Sequence, residues 1–242
     1  MDGPERLSVP APKKCFPFFS PILAGATLRE RLAGCLGALL AICGTGLICG
    51  YFVGLDPNLP LLVAPVGASA VLVFAVPASP LAQPWPVIAG NTLSAFIGIA
   101  VAGLVHHPVV AAGLAVSLAI AAMSFTRSLH PPGGATALTA VLGGPAVAKY
   151  GLLFPLLPVA LNSILLVALG IALHRLFRRR YPHDGKAALQ AASAARHGFL
   201  PQDIDAALEA EDETFDIDRD DLDRLLQRVE HHARLRVLAG AR

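Results

Sequence analysis

The chain has 242 residues, of which 55% are hydrophobic and 15% are charged, whereas an ordinary soluble domain has about 25% charged residues. Its formal charge of +2 is small, and no stretch interleaves basic and aromatic residues, so no nucleic-acid partner is expected. Between residues 32 and 174 the only formal charges are Asp56, Arg127 and Lys149. This segregation of charge predicts an all-α integral membrane protein.

The N-terminal residues have no secretory signal, because prolines interrupt them and no apolar core precedes a cleavage site. Residues 1–16 are predicted to form a disordered arm, and residues 17–31 to contain a short interfacial helix. The four cysteines lack the spacing of a zinc site and are interpreted as small buried hydrophobes. Neither a metal nor another cofactor is expected.

The membrane domain is predicted to cover residues 17–178 and to contain six helical segments. Four segments are long apolar runs and two, the second and the fifth, are short or broken by proline and glycine. The long runs are residues 32–55, 87–105, 109–125 and 150–173, and the broken runs are residues 59–77 and 131–142.

Basic residues flank the apolar region at both ends. The positive-inside rule therefore predicts cytoplasmic termini, in a multi-pass protein of a bacterial inner membrane. Cytoplasmic termini require an even number of crossings, which is six if both broken runs cross and four if they are re-entrant; we expect six. The basic residues are Lys13, Lys14, Arg29 and Arg31 before the first span, and Arg175, Arg178, Arg179 and Arg180 after the last.

The two broken runs resemble each other. Residues 65–72 (PVGASAVL) and 132–139 (PGGATALT) share proline, glycine, alanine, a hydroxyl residue and alanine in the same order. The next long run in each half carries an asparagine followed by a hydroxyl residue, at Asn91 and at Asn162. Three segments per half make the halves inverted repeats, and matching broken helices in such repeats indicate a transporter site. Chance or shared packing is the alternative explanation.

The break at residues 127–138 offers donors for an anion. Two prolines preset a helix start, and the backbone N–H groups that follow are expected to be bare at the positive end of the helix dipole. In the alternative, the hydroxyl groups bond their own backbone carbonyls and the glycines only allow close packing. The predicted binding residues of the two helix starts are Gly67, Ala68, Ser69, Gly133, Gly134, Ala135 and Thr136.

Polar residues around the break complete the predicted site. His130 could donate to an anion, take up a proton or cap the chain at the interface. Arg127 is placed at the mouth, where it either attracts anions or marks the inner surface. Asn91 and Asn162 are predicted to bind substrate as well, although hydrogen bonding between helices is their more common role.

Carboxylates are absent from the predicted spans, since Asp56 falls in a loop. Cation and proton carriers usually keep an acidic residue inside the membrane. The substrate is therefore expected to be an anion or a neutral solute. The sequence has no metal cluster, P-loop or nucleophile elbow, so no catalytic residue is assigned and an enzyme is not expected.

Residues 130–136 (HPPGGAT) resemble the motif of the HPP family of integral membrane proteins, and residues 67–72 and 79–84 are similar to that family's pattern. The resemblance covers about residues 20–178. It implies about four membrane spans, fewer than the six segments expected here, and plant and cyanobacterial members imply nitrite or nitrate as substrate. The predicted function is a transporter or channel for such an anion. The alternative is a membrane-embedded sensor that signals through its C-terminal tail.

The C-terminal part is predicted to consist of a linker, residues 179–199, and a helical cytoplasmic tail, residues 200–242. Residues 198–226 are similar to the linker of family members that continue into paired CBS domains, which bind adenine nucleotides. The chain stops at Arg242, so we expect either a member without that module or a truncated sequence. An apolar stripe on the second tail helix is expected to pack on the membrane domain or on a second copy in a homodimer or larger homo-oligomer. The stripe consists of Leu222, Leu225, Leu226 and Val229.

Overall fold

The structure is a computed structural model that describes residues 28–53, 62–183, 201–210 and 216–240. These residues form helices and connecting turns, with no strand among them, which confirms the all-α prediction for this part of the chain. The predicted disordered arm, nearly all of the predicted interfacial helix, the turn at Asp56 and most of the linker lie outside the described residues. In chain order the helices are α1 (Leu28–Val53), α2 (Pro65–Ala75), α3 (Asn91–Leu104), α4 (Pro108–Phe125), α5 (Pro132–Leu142), α6 (Gly144–Tyr150), α7 (Leu161–Leu176), α8 (Pro201–Ala210) and α9 (Arg219–Gly240).

Within the described residues, four helices are long and apolar enough to cross a membrane. These are α1, α4, and the helices α3 and α7 together with the turns that precede them, Pro86–Gly90 and Pro155–Ala160. Two shorter apolar helices, α2 and α5, lie between the long ones. The chain is therefore a multi-pass membrane protein, and its described residues contain the four long and two short apolar helices that the four long and two broken runs predicted.

The short helices α2 and α5 each begin at a proline and have 11 residues. At 1.5 Å per residue such a helix is about 16 Å long, about half of the hydrocarbon thickness of roughly 30 Å. Backbone that is not helical at membrane depth must be buried in protein or line a polar cavity. Accordingly, α2 packs against α1, α5 and α7, and α5 packs against α3 and α4.

The aligned segments of α2 and α5 bury equivalent positions. The first, second, fifth, sixth and ninth residues of each helix are buried, whereas the fourth and seventh are exposed. The matching sequence pattern therefore corresponds to a matching pattern of packing. The buried pairs are Pro65 and Pro132, Val66 and Gly133, Ser69 and Thr136, Ala70 and Ala137, and Val73 and Ala140.

Close packing of helices explains many of the glycines. A Cβ atom at Gly98 of α3 would lie 2.5 Å from the Cβ of Ala140 and 2.7 Å from the carbonyl oxygen of Ala137, both on α5. On α1, a Cβ at Gly34 would lie 2.8 Å from the carbonyl oxygen of Phe74 in α2. Small residues at such contacts let membrane helices approach closely, and dispersion then holds them together.

The cysteines of α1 only partly follow the prediction that they are buried. Cys49 is buried, but Cys35 and Cys43 are exposed on the outer surface of the helix. They lie eight residues, about two turns, apart and therefore share a face. The prediction was wrong for these two because apolar character alone does not distinguish a face toward the bundle from a face toward lipid.

The tail helices α8 and α9 are joined by a bidentate ion pair. Arg219 Nε donates to Asp205 Oδ1 at 2.8 Å and Arg219 Nη2 to Asp205 Oδ2 at 3.0 Å. These hydrogen bonds hold the pKa of the Asp205 carboxyl below its usual range. In the predicted apolar stripe of α9, Leu225 and Val229 are exposed, so this chain by itself covers the stripe only in part.

Replacing Gly98 by alanine is expected to lower the melting temperature of the detergent-solubilised protein. The added methyl group collides with Ala137 and Ala140, and overpacking of this kind costs about 1–3 kcal/mol. The matched control is Gly103→Ala on the same helix, where a Cβ meets nothing within 4 Å. That variant is expected to keep or raise the melting temperature, because alanine favours a helix over glycine by about 1 kcal/mol. Equal melting temperatures for the two variants would contradict the packing described here.

Candidate functional site

A group of buried polar side chains lies where the first turns of α2 and α5 meet α3 and α7. Each of these side chains is at most 1% exposed. Because they come from both short helices and from two long ones, they join both halves of the sequence. We call this group the polar cluster; it consists of Ser69, Asn91, His130, Thr136 and Ser163.

Asn91 is the centre of the polar cluster. Its Nδ2 donates to Ser69 Oγ at 3.1 Å and to Ser163 Oγ at 3.3 Å. Its Oδ1 accepts a hydrogen bond from Thr136 Oγ1 at 2.9 Å. One amide side chain therefore bonds residues of α2, α5 and α7 at once, and uses both its donor hydrogens and its acceptor oxygen.

His130 extends the polar cluster toward one end of the bundle. Its Nδ1 lies 2.8 Å from the carbonyl oxygen of Leu81, which can only accept, so Nδ1 carries a proton. In the neutral ring Nε2 is then an acceptor, and Ser69 Oγ lies 2.8 Å from it. The hydrogen bonds consequently all point the same way: Thr136 donates to Asn91, Asn91 donates to Ser69, and Ser69 donates to His130.

The prolines that begin α2 and α5 set the positions of the two hydroxyl groups. Ser69 lies four residues after Pro65, and its hydroxyl is 3.1 Å from the Pro65 carbonyl oxygen. Thr136 lies four residues after Pro132, at 3.1 Å from the Pro132 carbonyl oxygen. Each hydroxyl can therefore bond either its own helix or a neighbour in the polar cluster, so both roles that the sequence suggested are sterically open.

Both predicted asparagines follow a turn that begins at a proline: a π-helical turn before Asn91, and before Asn162 a turn that is kinked at Leu157, whose φ of −130° and ψ of 107° are not helical. Asn91 comes directly after Pro86–Gly90, and Asn162 is the second residue after Pro155–Ala160. A π turn adds a residue to the helical turn and rotates the side chains that follow it, and such turns are frequent at functional sites. Both asparagines face the interior and are at most 1% exposed.

Asn162 lies beside the polar cluster and has a spare donor. Its Oδ1 accepts from Cys49 Sγ at 3.0 Å, but its Nδ2 is buried without a partner among the described residues. Thr45 Oγ1, one turn before Cys49 on α1, is likewise buried without a partner. Buried polar groups are nearly always hydrogen-bonded, so two exceptions on the contacting helices α1 and α7 indicate a place for water or a ligand.

The backbone N–H groups at the start of α5 are not bare. The N–H of Gly133 donates to the His130 carbonyl at 2.8 Å, and that of Gly134 to the Pro131 carbonyl at 3.0 Å. In α2 the N–H of Gly67 donates to the Ala64 carbonyl at 3.0 Å. A ligand at either helix start would have to replace these short-range hydrogen bonds.

The other residues predicted at the helix starts are not part of the polar cluster. Gly67, Ala68 and Ala135 are exposed. Gly133 is buried, and a Cβ there would lie 2.7 Å from Ser94 Oγ and 2.8 Å from the sulfur of Met123. Gly133 therefore serves the packing of α5 on its neighbours.

Arg127 lies on the surface at the end of α4. Its φ of 52° is the left-handed conformation of a Schellman motif. In this motif the Ser128 N–H donates to the Met123 carbonyl at 2.8 Å, and the Arg127 N–H to the Ser124 carbonyl at 3.3 Å. Arg127 is exposed, and among the described residues no hydrogen bond or ion pair joins it to the polar cluster.

A turn formed by residues 79–83 connects the polar cluster to the tail. The Leu81 carbonyl binds His130, and the Leu81 N–H donates to Ser79 Oγ at 3.2 Å. The Ser79 hydroxyl in turn donates to Asp216 Oδ1 at 2.9 Å, three residues before α9 begins. The tail therefore contacts the same turn that holds His130.

Sequence reasoning missed Ser163, Cys49, Thr45 and the Leu81 carbonyl. Ser163 was recognised only as the hydroxyl neighbour of Asn162. The spacing of Thr45 and Cys49, four residues apart on α1, could have shown that they share a face. No pattern in the sequence indicates which backbone carbonyl His130 meets, because that contact joins residues 49 positions apart.

Comparison with known proteins identifies relatives of the membrane domain. The family model described as "HPP, transmembrane region" matches residues 24–182. Two transmembrane proteins of Dictyostelium discoideum are 41% and 39% identical to the chain over 137 residues each, which is 54% of this chain. These alignments cover 48% and 44% of the relatives, so the match spans less than half of either protein. No solved structure matches the chain.

Replacing Asn91 by leucine is expected to destabilise the protein by about 1–3 kcal/mol, because it leaves buried polar groups without their partner. Leucine keeps the four-atom branched side chain but cannot form its hydrogen bonds. Thr92→Val is the control, since the Thr92 hydroxyl donates at 2.7 Å to the Ile88 carbonyl of its own helix. The stability of both variants is measured by unfolding in a titration from mild detergent into dodecyl sulfate. If N91L is as stable as T92V, Asn91 does not hold the cluster together.

Proposed function

Because the chain belongs to the HPP transmembrane family, we propose that it is a membrane transporter or channel for a small inorganic anion, with nitrite or nitrate as substrate. One observation carries the proposal. The polar cluster is fully buried in a membrane bundle, consists of hydroxyl, amide and imidazole groups, and contains no carboxylate. Such a site can donate hydrogen bonds to an anion without opposing its charge.

The proposed binding residues supply side-chain donors. Nitrite and nitrate are small planar anions whose oxygen atoms only accept hydrogen bonds. The Asn162 amide N–H has no partner among the described residues. It can therefore donate to such an oxygen without breaking an existing hydrogen bond. The hydroxyl groups of Ser69 and Thr136 can turn from their own carbonyls toward a ligand, because each already lies between two acceptors.

Charge compensation is the main physical difficulty for an anion in this interior. A single unpaired charge is costly in a medium of low dielectric constant. His130 is the ionisable member of the polar cluster. In its neutral ring Nε2 carries no hydrogen and can accept a proton. Uptake of that proton supplies a positive charge next to Ser69, so we propose that His130 is protonated when the anion binds.

The inverted repeat is part of the proposal. The supporting observations are the equivalent burial of α2 and α5, the equivalent bonds from Ser69 and Thr136 to the prolines four residues earlier, and the turns that begin at a proline before both asparagines. Transporters with this architecture bind substrate where the two repeats meet and move one repeat against the other. In the proposed repeat the polar cluster would lie at that meeting place, because Ser69 comes from one short helix and Thr136 from the other.

Both termini are proposed to be cytoplasmic. Arg179 Nη2 donates to the Glu30 carbonyl at 2.7 Å, which places the start of α1 and the segment after α7 at the same end of the bundle. Basic residues at a shared end favour the inner side of the membrane.

The direct test is uptake of nitrite into liposomes that contain the purified full chain. We expect uptake above that of empty liposomes, measured by a colorimetric assay of the trapped ion. Nitrate, formate and chloride are tested in the same preparation to find the preferred anion. If none of the four enters faster than into empty liposomes, the transport proposal is wrong.

Thr136→Val is expected to raise the nitrite concentration for half-maximal uptake about tenfold, because a hydrogen bond to a charged group contributes about 1.5–3 kcal/mol. The matched control is Thr139→Val, one turn further along α5. The Thr139 hydroxyl donates to the Ala135 carbonyl at 2.8 Å and lies outside the polar cluster. An unchanged concentration dependence in T136V would assign Thr136 to packing alone.

A sensor that signals through the tail is the second candidate function. It is favoured by the hydrogen bonds that run from His130 through Leu81 and Ser79 to Asp216. A ligand that changes the bonding of His130 would thereby act on the turn that Asp216 contacts. The tail would then report on occupancy of the polar cluster.

In the sensor, nitrite is expected to change amide hydrogen exchange in residues 216–224 of the full chain in detergent. Ser79→Ala should abolish that response, because it removes the hydroxyl between Leu81 and Asp216. Ser117→Ala, at an exposed position of α4, is the control and should respond like the natural sequence. If exchange in the tail is the same with and without nitrite, the sensor hypothesis fails, and the uptake assay remains an independent test of transport.

A further inference from the structure

A groove of about 570 Å³ is lined by none of the residues of the polar cluster. It lies between the first turns of α1, the C-terminal half of α2 and the segment that follows α7. Most of its wall is apolar or small. The residues that form this wall are Gly34, Cys35, Ala38, Ala70, Val71 and Phe74.

Positive charge collects at one end of the groove. Arg31, Arg179 and Arg180 line it there, together with His183 and a single acidic residue, Glu30. Among the residues that the structure describes, none of the three arginines forms an ion pair with a carboxylate. The groove therefore combines an apolar wall with guanidinium groups whose charge is not compensated within the described chain.

We propose that this groove binds an anionic glycerophospholipid. Its phosphate lies against the arginines, and an acyl chain lies along α1 and α2. Guanidinium groups bind phosphate through paired hydrogen bonds, and basic pockets between membrane helices bind anionic lipid head groups. The volume is within the range of about 300–1,000 Å³ that is typical of small-molecule sites.

The shape of the site favours a lipid over a free phosphate ion. A free ion would occupy only the arginine end and leave the apolar wall uncovered. The adjoining surface of α1 is also apolar and exposed, at Leu32, Leu36 and Leu39, as expected of a helix face in contact with acyl chains. A lipid in the groove enters from that surface without leaving the membrane.

A bound lipid would act on the part of α2 that leads to the polar cluster. Ala70 lines the groove, and the preceding residue, Ser69, belongs to the polar cluster. The lipid would thus hold the start of α1 and the second half of α2 together. We expect it to raise the stability of the bundle and not to take part in anion binding.

The test is native mass spectrometry of the full chain in a neutral detergent, with added lipids that have identical acyl chains. We expect one phosphatidylglycerol to be retained per chain under conditions that remove phosphatidylcholine, and the melting temperature to rise with phosphatidylglycerol only. Glycerol 3-phosphate, which has an anionic phosphate but no acyl chains, should not raise it. Equal retention of the two lipids, or equal protection by glycerol 3-phosphate, would overturn the proposal.

Charge variants show where the lipid binds. Arg179→Gln and Arg180→Gln should each weaken retention of phosphatidylglycerol about fivefold. Arg175→Gln, at an exposed position in the last turn of α7 that does not line the groove, should leave retention unchanged. Equal loss in all three variants would indicate a non-specific effect of charge and contradict the assignment.

A variant in the apolar wall tests the lipid site without changing the arginines. Cys35→Phe fills the apolar part of the groove from an exposed position of α1 and should reduce lipid retention while the basic end stays intact. Retention equal to that of the natural sequence would overturn the proposal. So would a spectrum in which the variants lose a second protein chain instead of a lipid, because the groove would then be an interface between copies.

Discussion

The interior of this protein depends on the hydrogen bonds of Asn91. In a membrane there is no bulk water to satisfy a polar group, so each buried donor and acceptor needs a partner from the protein. Asn91 is such a partner for one residue on each of three helices. Its single amide group bonds Ser69 of α2, Thr136 of α5 and Ser163 of α7. The arrangement joins the two short helices to α3 and α7 through hydrogen bonds.

Broken helices make this arrangement possible. A continuous helix satisfies its own backbone and presents side chains at fixed intervals, whereas a helix that begins inside the membrane must find partners for its first turn. In α5 those partners are the carbonyls of His130 and Pro131. The first turn can therefore be buried, and it places Thr136 against Asn91. Gly98 and Gly133 permit the close approach of α5 to its neighbours that this contact requires.

The groove proposed for a lipid and the turn that follows α2 both involve the C-terminal part of α2 or the residues next to it. The turn of residues 79–83, which follows α2, binds both His130 and the residue Asp216 of the tail. The groove proposed for a lipid is lined by Ala70, Val71 and Phe74 of α2. Changes at the membrane surface and at the tail could therefore reach the polar cluster through a short path of packed and hydrogen-bonded residues, without a large movement of the spanning helices.

The sequence by itself determined the membrane location, the helical class, the proline starts of both short helices, and four members of the polar cluster. These follow from local chemistry, because the run of apolar residues, the rigid proline ring and a polar residue in an apolar setting each have meaning within a few positions. Only the tertiary structure decided that Ser163 bonds Asn91 across 72 positions, that the Asn162 amide N–H finds no partner among the described residues, and that the N–H groups of Gly133 and Gly134 are occupied. Those features depend on distances between helices, which are set by how side chains pack and not by the order of residues along the chain.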